Sequence, residues 1–390
     1  MLLRAVEDWK MALDGNKFVS AILMDLSKAF DCLPHELLLD KLMAYGLSSD
    51  AVSLIQSYLH GRKQCVSLGD VSSSWKPLGN KSVPQGSIVG PLLFNIFLND
   101  IFYCVDQCTL YNYADDNTIS LSNADINVLK STLENECGKL LSWFDTNMMK
   151  ANPDKFQAIA FGDKTHSQNL TFSLGDTKIA CENSVKLLGV TLDFKLGFKD
   201  HITSLCQKAS RQLNALKRIG HHLSLKCRFV VYQSFILANF NFCPLTWHFC
   251  LKSDSDKIEG IQERALRFIY SDHLSTYHDL LARSGFPSLQ VRRLRVMALE
   301  CFKILHGLSP SYLDDFIVKR NTRYSFRYIN TVNLPRVRTE KFGRRSFRFA
   351  APKLWNDLPN HMRADMKFEV FRAVINRWDG SSCSCSACTV

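Results

Sequence analysis

Residues 109–121 read TLYNYADDNTISL, and this stretch decides the fold of the first half of the chain. Two short β-prone runs, 109–114 and 117–121, flank the adjacent carboxylates Asp115 and Asp116. Such runs on either side of a polar pair predict a β-hairpin with both carboxylates at its tip. A polar hairpin tip is also an ordinary surface feature, so the pair alone assigns no chemistry.

Two other segments place polar groups where predicted elements end. The apolar run Phe18–Leu26 predicts a buried strand, and Asp25 lies where that strand turns toward a helix. Residues 83–87, Val-Pro-Gln-Gly-Ser, predict a glycine-bearing loop ahead of an apolar helix. Taken alone, Asp25 is typical of a strand end, and residues 83–87 are typical of a turn. Together with the hairpin pair, they point to two strand-supported carboxylate clusters that face each other.

Facing carboxylates either raise a pKa or bind a hard cation, and Mg²⁺ suits them because it prefers oxygen ligands. Two such ions about 3.5–4 Å apart would assist an in-line displacement at phosphorus. The chain has no Gly-rich Lys-Ser/Thr loop of the P-loop type, and neither a Gly-x-Ser-x-Gly nor a His-Glu-x-x-His motif. These absences exclude the corresponding nucleotidase, hydrolase and metalloprotease classes.

The remaining pattern sets the fold class. A long predicted helix, 125–149, is followed by strand-like runs at 156–161, 170–174 and 185–192, and the pattern turns helical after residue 198. We therefore expect an α+β fold: an antiparallel sheet with helices, then an all-helical region and a basic C-terminal region.

Composition and charge limit the classes of protein to which the chain can belong. The 390 residues are 46% hydrophobic and 22% charged, as in a globular chain. No apolar run is long enough to span a bilayer, and no signal-peptide core is present, so an intracellular, soluble protein is expected. Residues 1–200 hold 18 Lys and Arg against 23 Asp and Glu, whereas residues 201–390 hold 30 against 14. A basic second half suggests a polyanionic partner, although a solvated surface explains it equally well.

Basic residues are densest at 316–350, where ten Lys and Arg face one acid, Glu340, with aromatic residues interleaved. Arginine next to aromatic side chains suits phosphate contacts combined with base stacking. The alternative is an ordinary basic surface with its aromatic side chains turned inward. The candidate nucleic-acid-binding residues are Arg336, Arg338, Lys341, Arg344, Arg345 and Arg348.

A cysteine cluster ends the chain at Cys383, Cys385 and Cys388. Three thiolates could hold Zn²⁺ if a fourth ligand such as His361 were supplied. No second cysteine pair lies nearby, and the flanking serines favour a tail without metal.

Five segments resemble the reverse transcriptases of non-LTR retrotransposons, particularly jockey-like LINE elements. They correspond in order to that family's motifs A to E: LMDLSKAFDCLPHELLLDKL (23–42), SVPQGSIVGPLLFNIFLNDI (82–101), YADDNTI (113–119), NMMKANPDKFQAIAFG (147–162) and VKLLGVTLDFKLGFKDHI (185–202). The resemblance covers essentially the whole chain. It implies a right-hand polymerase palm over residues 1–193, a helical thumb over 194–290 and a basic region over 291–390.

The resemblance also implies residue roles at the metal site. Asp25 and Asp115 match the metal-binding aspartates, and Leu26 would offer its backbone carbonyl to the second ion. Asp116 matches the second aspartate of the catalytic pair. Lys155 matches the lysine that would donate a proton to the departing pyrophosphate, although an ordinary surface lysine is the alternative.

Further matches concern the substrates. Phe30 matches the bulky residue that would exclude a ribose 2′-hydroxyl, and a core phenylalanine is the alternative reading. Gln85 and Gly86 match the loop that lies against the nucleotide and template base. The four residues Lys186, Leu187, Leu188 and Gly189 resemble the primer grip.

The implied activity is RNA-directed DNA synthesis with two Mg²⁺ ions. The implied partners are an RNA template, a DNA primer, target DNA and deoxynucleoside triphosphates, and the implied location is the nucleus. No membrane partner is expected. Only 24 residues precede Asp25, so we expect an N-terminally truncated copy that lacks most of the fingers. The competing hypothesis is a catalytically inactive nucleic-acid-binding remnant.

Overall fold

The computed structural model describes residues 1–320 and 330–381. Two compact units make up the chain. The first consists of Met1 and residues 18–183, and the second of residues 2–17 with residues 184–390.

Some sequence predictions cannot be placed. The candidate zinc ligands Cys383, Cys385 and Cys388 lie outside the described residues, as does the part of the basic segment at 321–329. The division into palm, thumb and basic region is a functional one and stays a prediction.

The strands are β1 (Phe18–Met24), β2 (Lys63–Gln64), β3 (Ser67–Leu68), β4 (Val71–Ser72), β5 (Lys76–Pro77), β6 (Thr109–Tyr113), β7 (Asp116–Asn123), β8 (Gln157–Phe161), β9 (Thr171–Leu174), β10 (Thr177–Glu182), β11 (Ser184–Leu187) and β12 (Val190–Asp193). The α-helices are α1 (Leu2–Asp14), α2 (His35–Ala44), α3 (Ser49–Leu59), α4 (Gly90–Leu98), α5 (Ile126–Thr146), α6 (Asp163–His166), α7 (Lys199–Ile219), α8 (Leu225–Val231), α9 (Ala238–Phe240), α10 (Pro244–Trp247), α11 (Lys252–Tyr270), α12 (Tyr277–Ser284), α13 (Leu289–Leu305), α14 (Phe347–Asp357) and α15 (Phe368–Ile375). Two π-helical segments span Tyr232–Leu237 and Glu340–Arg344.

The first unit is an α+β domain built on a six-stranded sheet in the order β6-β7-β1-β8-β10-β9. Every pairing is antiparallel except that of β8 with β10, which confirms the predicted fold class. Strand β1 lies inside the sheet between β7 and β8 because its sequence, FVSAILM, is apolar on both faces. Its one polar side chain, Ser20, donates a hydrogen bond to the Ile159 carbonyl at 2.7 Å.

Helix α5 covers the sheet, with an apolar stripe of Leu129, Leu133, Leu140 and Phe144, each at most 1% exposed. Asp125 caps the helix. Its side chain accepts hydrogen bonds from backbone N–H groups of the first turn, which have no partner within the helix. The buried helix and sheet faces form the core that holds the strand ends in place.

One predicted strand differs from the structure, and two elements of the structure were not predicted. The run 185–192 was expected to be one strand, but it forms the hairpin β11–β12, because Leu188 and Gly189 both adopt positive φ and reverse the chain. Strand β10 and helix α1 were not predicted.

The second unit is mainly helical and also contains the hairpin β11–β12. Helix α7 packs against α11, and α13 packs against α11, α14 and α15. One apolar cluster includes Met297, Phe302, Phe347 and Trp355, all at most 2% exposed. Within residues 1–320 and 330–381, no helix has the length and apolar character needed to cross a membrane.

Candidate active site

Asp25 follows directly on the buried strand β1. Its backbone carbonyl accepts a hydrogen bond from Asn152 N–H at 3.0 Å, and Ser27 N–H donates to the Lys150 carbonyl at 2.8 Å. Leu26, which lies between them, is buried and forms an isolated antiparallel bridge with Ala151. The segment 150–152 therefore fixes the path of the chain directly after β1. About a third of the Asp25 side chain is exposed.

Asp115 and Asp116 lie at the turn between β6 and β7, as predicted. Tyr113 pairs with Asp116 across a two-residue turn, in which Ala114 takes a left-handed φ of 53°. Asn112 Nδ2 donates to the Ala114 carbonyl at 2.8 Å, and Asn117 Nδ2 donates to the Asp115 carbonyl at 3.1 Å. These bonds fix the turn that carries both carboxylates.

The side chains of the two asparagines also form a hydrogen bond with each other. Asn112 Nδ2 donates to Asn117 Oδ1 at 3.0 Å, and Asn117 is 2% exposed. Sequence reasoning missed this pair of clamping residues. Their signal was available, because short amide side chains close to a tight turn commonly bond to its backbone.

The pairing register brings the two carboxylate clusters together. Strand β1 pairs with β7 so that Met24 lies opposite Asn117, which brings the chain ends with Asp25 and Asp116 next to each other. The pKa of Asp116 is raised, first by burial and then by the charges of Asp115 and Asp25. The three carboxylates thus share one electrostatic environment that disfavours a further negative charge.

Lys155 supplies a positive charge to this cluster. It lies in the turn before β8, which is the other neighbour of β1 in the sheet, and its Nζ is 3.0 Å from Asp25 Oδ2. The lysine side chain is 63% exposed, so the ion pair forms at the surface of the site. The structure therefore unites four of the predicted residues: Asp25, Asp115, Asp116 and Lys155.

The loop with Gln85 and Gly86 packs on the segment that follows Asp25. Gln85 Nε2 donates to Asp31 Oδ1 at 2.9 Å, and Val83 N–H donates to the Phe30 carbonyl at 3.0 Å. Gly86 has φ of 77°, a conformation that disfavours side chains with a Cβ. The loop is thus attached to the segment that begins at Asp25.

Phe30 is half-buried, and its ring stacks on the ring of Phe94 in α4, with centroids 4.3 Å apart. Part of the ring is therefore in the apolar core, and part remains accessible. Both sequence interpretations, a core residue and a substrate contact, are compatible with this placement.

The carboxylates match the ligand chemistry of Mg²⁺. Burial, with the charges of Asp115 and Asp25, raises the pKa of Asp116, and carboxylate oxygens are the ligands that Mg²⁺ prefers. In the described part of the chain, however, no three His, Cys, Asp or Glu side chains are grouped closely enough to hold an ion. The Asp25 carboxylate pairs with Lys155 instead.

The predicted primer-grip residues belong to the second unit. Lys186 and Leu187 end β11, and Leu188 and Gly189 form its turn into β12, with φ of 47° and 80°. Leu187 is buried, whereas Lys186 and Gly189 are exposed.

The basic residues of the C-terminal region also lie in the second unit. Arg348 forms ion pairs with Asp8 at 2.9 Å and Asp315 at 3.4 Å, and it packs on the Phe316 ring. Arg345 is half-buried, and the remaining candidates are exposed, namely Arg336, Arg338, Lys341 and Arg344. These four side chains are the ones accessible to a polyanion.

An antiparallel sheet with carboxylates at the end of a central strand and at the neighbouring hairpin tip fits the polymerase palm that the sequence motifs predict. Residues 3–192 match the family model described as reverse transcriptase (RNA-dependent DNA polymerase). This stretch of the chain thus resembles reverse transcriptases, and the relatives support a non-LTR, LINE-type reverse transcriptase.

Two of these relatives come from Drosophila melanogaster. The chain is 26% identical over 326 residues to the probable RNA-directed DNA polymerase from transposon BS, covering 73% of this chain and 36% of that protein. It is 28% identical over 269 residues to the RNA-directed DNA polymerase from mobile element jockey, covering 66% and 29%. The chain thus spans about a third of the length of these curated relatives.

Among solved structures, the chain is similar to telomerase from Candida albicans in complex with a fragment of telomeric RNA. The match covers 73% of this chain and 54% of that one, with 12% identity and a TM-score of 0.39. A TM-score at this level does not define a shared fold.

Proposed function

We propose that this chain is an RNA-directed DNA polymerase that adds deoxynucleotides to a primer 3′-hydroxyl on an RNA template. The observation that carries the proposal is the β1–β7 register, which pairs Met24 with Asn117, the residues directly next to Asp25 and Asp116. Two-metal nucleotidyl transfer uses carboxylates as the ligands of its cations.

Asp25, Asp115 and Asp116, with the Leu26 carbonyl, would hold two Mg²⁺ ions. When bound, these ions would stabilise the negative charge that develops on the attacking and leaving oxygens. The protein contributes rigidity, because the Asn112–Asn117 clamp and the buried strand β1 fix the carboxylates before substrate arrives.

Other residues of the first unit would act on the nucleotide. Lys155 Nζ is an ammonium group at the site and can donate a proton to the departing pyrophosphate. Gln85 and Gly86 would lie against the nucleotide and template base. The accessible part of the Phe30 ring would exclude a ribose 2′-hydroxyl.

The remaining proposals concern the rest of the chain. Residues 1–193 would act as the palm, 194–290 as a thumb, and 291–390 as a basic region that contacts RNA and target DNA through its exposed arginine and lysine side chains. The primer would contact residues 186–189, and the reaction would take place in the nucleus.

Primer extension on poly(rA)/oligo(dT) with Mg²⁺ tests the activity. The wild type should extend the primer, and the Asp115→Asn/Asp116→Asn double variant should not. Asp176→Asn is the matched control, because Asp176 is an exposed carboxylate between β9 and β10 in the same unit. Salt-dependent template–primer binding without extension by any of the three proteins would identify a nucleic-acid-binding remnant instead.

A further inference from the structure

One hydrogen bond fixes the side chain of Gln85. Its Nε2 donates to Asp31 Oδ1 at 2.9 Å, and the two residues are 54 positions apart in the chain. Both side chains are exposed. Within residues 1–320 and 330–381, neither the Gln85 amide nor the Asp31 carboxylate forms another hydrogen bond or ion pair. In that part of the chain, each side chain is therefore the only polar partner of the other.

The backbone of the loop that carries Gln85 is held by other contacts. Val83 N–H donates to the Phe30 carbonyl at 3.0 Å. The ring of His35 donates from Nε2 to the Ser82 carbonyl at 2.7 Å. Loss of the carboxylate that binds the amide would leave both of these bonds in place. The carboxylate therefore acts on the side chain of Gln85 rather than on the path of the loop.

The turn that carries the carboxylate is anchored in the core. It is a short 3₁₀ helix, Ala29–Asp31, and the N–H of its last residue donates to the Lys28 carbonyl at 2.8 Å. Lys28 takes a left-handed φ of 49°, which turns the chain sharply at this point. The ring of Phe30 stacks on Phe94 with centroids 4.3 Å apart. The carboxylate thus offers the loop an acceptor in a fixed position.

This acceptor determines which way the Gln85 amide points. A glutamine amide has an oxygen that accepts and an NH₂ group that donates, whereas an ionised carboxylate only accepts. The NH₂ group therefore turns toward Asp31, and Oε1, which has no partner among the described residues, faces away from it. Hydrogen bonds to a charged acceptor are stronger than those between neutral groups, so this orientation is favoured over the flipped one.

We propose that Asp31 is a positioning residue for nucleotide binding, because it holds the Gln85 amide so that Oε1 is the group that meets the incoming nucleotide. A long, exposed side chain loses rotamer freedom when it binds a ligand. Fixing the side chain before the nucleotide arrives removes part of this cost from binding. The inference deepens the proposed function and rests on it for the contact between Gln85 and the nucleotide.

Nucleotide binding can be measured without chemistry on a template–primer whose primer ends in a dideoxynucleotide. In calorimetric titrations of this complex, Asp31→Ala should weaken binding of the matched deoxynucleotide about 5-fold, as expected for the loss of one hydrogen bond. Asp40→Ala is the matched control, because Asp40 is an exposed carboxylate of α2. Unchanged nucleotide affinity in Asp31→Ala would overturn the proposal.

A reversal of polarity tests whether Asp31 acts through Gln85. Gln85→Glu places two carboxylates against each other and should weaken nucleotide binding by more than Asp31→Ala does. In Asp31→Asn/Gln85→Glu, the introduced amide can donate to the introduced carboxylate, whose other oxygen replaces Oε1. This double variant has the same net charge as the wild type and should bind the nucleotide within about 2-fold of it.

The control for the reversal is Gln56→Glu, because Gln56 is exposed on α3. It should bind the nucleotide as the wild type does. If the losses of Asp31→Asn and Gln85→Glu add up in the double variant, the two side chains do not act together and the proposal is wrong.

Single-turnover nucleotide addition separates positioning from a structural role. Asp31→Ala should raise the nucleotide concentration that gives half the maximal rate about 5-fold and leave the maximal rate within about 2-fold, because the lost contact serves binding. A structural role would disturb the turn that follows Asp25 and lower the maximal rate. A lower maximal rate with an unchanged half-maximal concentration would contradict positioning.

The two proposals fail separately. A wild type that binds the nucleotide on the dideoxy-terminated primer but extends no ordinary primer would refute the polymerase alone, and the polarity reversal would still test Asp31. Extension and nucleotide binding at wild-type levels in Asp31→Ala would refute the positioning role alone. A wild type that binds no nucleotide would refute both.

Discussion

The ammonium nitrogen of Lys155 lies 3.0 Å from Oδ2 of Asp25, 130 residues earlier in the chain. A cation that binds the Asp25 carboxylate must compete with this ion pair. Lys155 is thus a counter-ion of the cluster, and on cation binding its ammonium would become available to the leaving pyrophosphate.

Substitution of Lys155 should therefore change two measurable quantities in opposite directions. Lys155→Met should tighten Mg²⁺ binding by up to about 5-fold, because an exposed ion pair contributes at most about 1 kcal/mol. The same variant should slow single-turnover nucleotide addition about 100-fold or more through loss of a general acid. Lys178→Met is the control, since Lys178 is exposed on β10. Weaker Mg²⁺ binding in Lys155→Met would rule out the competition.

The raised pKa of Asp116 predicts a pH-dependent stability. Burial and the charges of Asp115 and Asp25 raise this pKa in the folded state, so ionisation of Asp116 destabilises the fold above that pKa. Asp116→Asn should therefore raise the urea midpoint of the metal-free protein at pH 7. The gain should vanish as pH falls below the ordinary value of 3.8, where the aspartate is protonated in both states. A gain that persists unchanged at pH 3 would show that ionisation of Asp116 is not its cause.

The asparagine clamp at the hairpin tip should matter for both stability and catalysis. Asn117→Ala removes the bond to the Asp115 carbonyl and leaves Asn112 without its Asn117 partner, which should cost about 1–3 kcal/mol. Primer extension should fall by more than this loss of folded protein explains, because the turn that carries the two carboxylates is loosened. Ser122→Ala on the same strand should leave both measurements unchanged. Equal extension by folded Asn117→Ala and wild type would show that the clamp has no catalytic role.

Removing one partner of a buried ion pair should destabilise the second unit. Glu7 and Lys10 are 1% and 2% exposed, and Lys10 Nζ also donates to the Arg345 carbonyl at 3.0 Å. Burial lowers the pKa of Lys10. Lys10→Met should cost about 3–5 kcal/mol because it leaves Glu7 buried without its cation, and Glu7→Gln/Lys10→Met should recover most of this loss.

Urea unfolding measures these changes in stability. Lys17→Met is the control, because Lys17 is exposed just beyond the same helix. If the double variant unfolds as early as Lys10→Met, the uncompensated charge of Glu7 is not the source of the loss.

The parts of the fold that could be predicted are those with strong local patterns. Strand β1 is apolar throughout, the hairpin around Asp115 has a clear polar break, and α5 has a regular stripe with a capping aspartate. Strand β10 was missed because its sequence, TKIACE, has only short polar and apolar alternation. The turn at Leu188 was missed because a leucine with positive φ carries no turn signal.

The site was predictable in its residues but not in its contacts. The carboxylates could be identified from three short motifs, whereas the Lys155–Asp25 and Gln85–Asp31 pairs depend on packing between segments that are distant in sequence. The exposure of two phenylalanine rings in the second unit also escaped prediction. Phe235 and Phe242 lie in an apolar stretch that looks like core, and only the fold shows which rings face outward.

The measurement that tests the central claim most directly is a Mn²⁺ titration followed by electron paramagnetic resonance, since Mn²⁺ takes the same oxygen ligands as Mg²⁺. The wild-type chain with template–primer and a non-hydrolysable deoxynucleotide analogue should bind two ions, and Asp176→Asn should do the same. Asp25→Asn/Asp116→Asn should lose both. Equal Mn²⁺ binding by Asp25→Asn/Asp116→Asn and wild type would contradict the claim that these strand-end carboxylates form the cation site.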